Sequence, residues 1–126
     1  MKAFPKSQIE FKVKNNKYVI DYPNTGQLID VEKIKAVLSG NSYDGISNQN
    51  TNSGFYAKYL IDTVATINVL CPQLVKDLKV KSILDLSAVD SNMLLKIYVK
   101  ELLPWFIDWE NALNSDDEEL DGSTNE

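Results

Sequence analysis

Histidine is missing from the sequence altogether. That removes the side chain that most readily exchanges protons near neutral pH, and the commonest nitrogen ligand for zinc and iron. Arginine is missing too; all thirteen basic residues are lysine. Without the planar guanidinium fork for phosphate and guanine, and with a net charge of −5, a dedicated nucleic-acid binder is not expected. One cysteine, Cys71, excludes an internal disulfide and a thiolate zinc cluster. In an apolar helical run, a lone cysteine reads as a small buried hydrophobe. The five glycines are scattered and fit neither a P-loop nor a dinucleotide fingerprint. No secretory segment opens the chain, and no run of about 20 apolar residues could span a bilayer. The expectation is a cytoplasmic protein with no membrane association and no cofactor.

What is present describes one domain. The 126 residues are 44% hydrophobic and 25% charged. A chain of this size buries roughly two-thirds of its unfolded surface. Charge is divided unevenly: residues 1–100 carry a net +4, and residues 101–126 a net −9 with no base. The expected division is a folded body over 1–114 and a disordered acidic tail over 115–126.

Two short segments alternate with period two. Ile9, Phe11 and Val13 share one face, and Tyr18, Ile20 and Tyr22 another. Asn15 and Asn16 tolerate the positive φ of a tight turn, so residues 8–22 read as a β-hairpin ended by Pro23. Asn24 and Gln27 form a capping-box pattern, with Thr25 as rival cap. The first helix then runs from about 26 to 39, with Leu28, Val31, Ile34 and Leu38 at helical spacing. Residues 41–54 are polar and without period, hence a long loop.

A second helix, about 54 to 71, is apolar nearly all round, apart from a stripe of Lys58, Asp62 and Thr66. Pro72 starts a third short helix to about 79. Residues 80–86 link to a fourth, signalled by Ser87 and Asp90. Pro104 should kink or restart the chain into a last helix, about 104 to 113. The fold class is therefore α+β: an N-terminal two-stranded hairpin followed by four to five helices. The core is expected from the first, second and fourth helices.

No residue constellation points to catalysis, and the chain is not expected to be an enzyme. Asp108 and Glu110 lie two apart on a helix, so they point to different sides, and Glu101 belongs to the same solvated face. The candidate residues are for protein contact. Trp105, Phe106 and Trp109 crowd one short helical stretch; such aromatics either close a core or anchor a partner. Lys12, Lys14 and Tyr18 lie on the hairpin, whose open edges could accept a strand from another chain, including a second copy.

The hairpin running into Thr25-Gly26-Gln27-Leu28-Ile29-Asp30, the Leu102-Leu103-Pro104-Trp105 break and the acidic end together resemble small phage-encoded tail assembly chaperones. The likeness covers most of residues 8–113 and is one of order, size, helicity and acidity, so it transfers no site residues. It implies a non-enzymatic helper that binds tape-measure and tail-tube proteins and is absent from the finished particle. The alternatives are a stoichiometric virion component and an acidic inhibitor of a host protein.

Overall fold

In a computed structural model, the backbone is described for residues 4–124 and the side chains for residues 4–115. Strands β1 (Gln8–Val13) and β2 (Asn16–Asp21) pair antiparallel, with Phe11 opposite Tyr18 and Ile9 opposite Ile20. The alternation places Phe11, Val13, Tyr18 and Ile20 in the core, as the pattern requires. The turn is one residue earlier than expected. Lys14 and Asn15, not Asn15 and Asn16, take positive φ, at 47° and 72°. Two left-handed residues match the twist of the flanking strands. Lys14 is not a residue that favours this region, but its ammonium is held at 3.0 Å by Asp90.

The helices follow in the order α1 (Thr25–Leu38), α2 (Tyr43–Ser47), α3 (Asn52–Leu70), α4 (Pro72–Asp77), a 3-10 turn (Ile83–Asp85), α5 (Ala88–Ile97), a π-helical turn (Tyr98–Leu102) and α6 (Leu103–Thr124). The architecture is thus a hairpin on a mainly helical body, the α+β class read from the sequence. Asn24 does cap α1: its side chain accepts from the Gln27 amide at 2.9 Å, and the Gln27 side chain returns a bond to the Asn24 amide at 3.0 Å. Ser87 caps α5 through the Asp90 amide at 3.1 Å. The expected disorder of 115–126 falls almost wholly on residues whose side chains, from 116 onward, lie outside the described set.

Three expectations are corrected. First, residues 41–54 are not one loop. They contain α2, and α3 begins at Asn52, capped by Thr51, whose hydroxyl accepts from the Gly54 amide at 3.0 Å. Gly54 is required here: a Cβ would meet the Gln49 side chain at 2.6 Å. Second, the chain does not break at Pro104. The Leu103 amide donates to the Tyr98 carbonyl, five residues back. A π-turn lies directly ahead of the proline, so α5, the turn and α6 form one uninterrupted helical run, the α5–α6 rod. The restart is excluded, and both ordinary causes of a kink are adjacent. Third, α1 places no buried residue in the core; Leu38, partly buried, packs against its edge.

The core comes instead from the hairpin, α3, α4, the 3-10 turn and the α5–α6 rod. Ile67, Leu74, Leu94 and Leu102 are all sealed at 1% exposure or less. Leu94, Tyr98, Leu102 and Trp105 form one buried line along the rod. Tyr18 also ties the hairpin to α4, donating its hydroxyl to Asp77 at 2.7 Å. This bond, then one from Gln73, holds the Asp77 carboxyl below its ordinary range. A carboxyl lowered on folding adds stability that is complete above its unfolded pKa and is lost as pH falls through the folded value. Wild-type protein should therefore exceed Tyr18→Phe in stability at neutral pH, the gap closing in acid. Denaturant titrations at stepped pH measure this; a gap unchanged in acid would assign the difference to packing alone.

Candidate functional site

From Asn24 to Ser53, thirty consecutive residues contain none that is buried, whereas Pro23 and Gly54 at the two ends are. This stretch, α1 and α2 with their connections, lies on α3 as an outer arm. Its inner side is half-buried, through Val31, Ile34 and Leu38 of α1 and Tyr43 and Ile46 of α2. Apolar side chains also point elsewhere. Leu28 is 46% exposed, Ile29 51% and Val37 78%. On a helix, Ile29 falls opposite the inward side and Val37 well to one flank of it. A helix apolar on several sides ordinarily has neighbours on several sides; α1 packs by one.

A cleft of about 310 Å³ opens between the arm and the body. Leu28, Val31 and Lys35 of the arm face Thr66, Leu70 and Phe106 of the body across it. Asp62 lines the same cleft and is 6% exposed. Its Oδ1 accepts the Tyr43 hydroxyl at 2.5 Å and faces the Lys35 ammonium at 3.4 Å. Lys35 is shared with Glu32 at 3.3 Å and lies over the Tyr43 ring at 5.3 Å. The Lys58–Asp62–Thr66 stripe is therefore no solvated face. Asp62 and Thr66 are buried, and the donors to Asp62 come from two residues of the arm. Burial first, then the bond to Asp62, raises the Tyr43 hydroxyl well above the ordinary phenol range. It stays a donor at neutral pH. Tyr98, at the back of the cleft, is raised by burial and then by the Asp62 charge.

No protein-family model, curated protein or solved structure matches this chain. Its geometry alone carries the functional reading. Among the described residues, no group of three acidic or cysteine side chains could hold a metal ion, and no helix is long and apolar enough to cross a membrane. Burial pushes the Cys71 thiol up, so it stays protonated at neutral pH.

The contact residues expected from sequence divide. Trp105 is buried, and its indole N–H donates to the Lys6 carbonyl at 2.8 Å. Tyr18 is buried and bonded to Asp77. Both are engaged within the protein itself. Trp109 is half-buried and also donates to the Lys6 carbonyl, at 3.1 Å. Its ring lies between Tyr22, stacked at 4.5 Å, and Phe4, stacked at 5.4 Å. The aromatic cluster thus seats the N-terminal segment on α6. Phe106 is half-buried and forms part of the cleft wall. Lys12 and Lys14 are exposed on the hairpin, Lys14 engaged with Asp90.

Sequence reasoning missed the arm's outer surface and the Asp62 cluster. An acid at the centre of a nearly all-apolar helix, with a lysine and a tyrosine in the preceding segment, was the available signal.

Proposed function

We propose that the protein is a non-catalytic binding protein that engages another protein through the outer surface of α1. One observation supports this above the rest: Ile29 and Val37 stay solvent-exposed, turned away from α3, on a helix with no buried residue of its own. Apolar side chains left outside in this way gain by desolvation against a partner, at roughly 25 cal/mol per Å². The tail-assembly resemblance gives this reading its finer form. The partner would then be a tape-measure or tail-tube subunit, held during assembly and released.

The test is purification from the producing cell of the intact chain and of a double variant, Ile29→Asp with Val37→Asp. The wild-type chain is expected to carry a stoichiometric protein that the variant loses, while both give the same far-UV circular dichroism. Mass spectrometry names the partner. A tape-measure or tube subunit supports the assembly role; incorporation into finished particles at fixed stoichiometry overturns it. Equal retention of the partner by both chains removes α1 as the contact surface.

A further inference from the structure

We infer that residues 24–53 form an arm that undocks from α3 as a unit while the remainder stays folded, and that Asp62 is the latch holding it closed. Three independent features of the structure lead here.

The first is the distribution of burial. The buried core draws on the hairpin before the arm and on elements from α3 onward, but on no buried side chain from the thirty residues between; of these, Leu38 packs against it, partly buried. Removing the arm from α3 uncovers no fully buried arm residue. Local opening costs least where few apolar groups are sealed, and units of this kind open well below the global unfolding free energy.

The second is the seam. The cleft of about 310 Å³ lies on one side of the α1–α3 contact. On the other side is a groove of about 170 Å³, with Leu38 of the arm against Leu60, Ile61 and Leu84 of the body. Solvent-open grooves on both flanks leave a narrow strip of direct contact, so the arm buries less apolar surface than a helix inside a filled core.

The third is the nature of the tie. Asp62 is the buried charged residue of α3, and both of its described partners, Lys35 and Tyr43, belong to the arm. One carboxylate oxygen thus joins α1 and α2 to the body together. The arm crosses from α1 to α2 through Gly40 and Asn41, both left-handed, at φ 61° and 66°. That corner sets the two short helices at the angle that brings Lys35 and Tyr43 onto one atom. When the arm leaves, Asp62 regains water, which offsets part of the lost bonds.

Hydrogen exchange with mass spectrometry on the intact protein tests both parts. Peptides covering 25–50 should exchange about a hundredfold or more faster than those covering Ile67, Leu94 and Leu102. Lys35→Met and Tyr43→Phe, substitutions within the arm itself, should each raise arm exchange several-fold. Asp62→Asn should raise it about tenfold, since it weakens bonds to a charged acceptor. Exchange at Leu94 and Leu102 should stay unchanged in all three. Wild-type arm amides that exchange only as slowly as the core would overturn the undocking. Arm exchange unmoved in every variant would overturn the latch. A parallel rise in arm and core would show ordinary global destabilisation and defeat both. The reading is independent of any partner, so loss of the α1 binding proposal leaves it standing.

Discussion

Trp105→Ala is expected to lower the free energy of unfolding by about 3–5 kcal/mol, the range for deleting a large buried aromatic. The indole is 7% exposed and meets Tyr22 edge-on at 5.6 Å. Its N–H is tied to the Lys6 carbonyl, so truncation leaves a cavity and weakens the seat of the N-terminal segment together. Trp109→Ala should cost visibly less, because that ring is only half-buried. Urea denaturation followed by far-UV circular dichroism separates the two. A Trp105→Ala loss under about 1 kcal/mol would contradict its place in the core.

Leu102→Ala should be nearly as damaging, at about 2–5 kcal/mol. Leu102 is 0% exposed and ends the π-turn. That turn fixes how α5 and α6 present their apolar line, and rigid surroundings let the site collapse poorly around a void. Val37→Ala, at a side chain 78% exposed, should stay within about 0.5 kcal/mol of wild type. Measured by the same denaturation, equal effects at the two positions would contradict the assigned core.

The hairpin was legible because its information is local. Period-two alternation decided which side of Phe11, Tyr18 and Ile20 turned inward, and the structure agrees. Asn24 and Ser87 were legible for the same reason, since a cap and its amide are three residues apart. The position of α1 was not. Leu28, Val31, Ile34 and Leu38 correctly mark a helix, but spacing does not say whether anything covers it. Five-residue α2 is too short to show a period. Pro104 was read by its missing donor, yet the helical run continues through it, and no residue type announces a π-turn. Asp62 was visible as a polar stripe. Its meaning depends on Lys35 and Tyr43, which reach it only after the chain has reversed twice.

One backbone oxygen, the Lys6 carbonyl, serves both indoles, and the chain has only these two tryptophans. All of its tryptophan emission therefore originates at a single junction where the leading segment meets the last helix. That emission is an optical gauge of whether the segment around Lys6 is seated on α6.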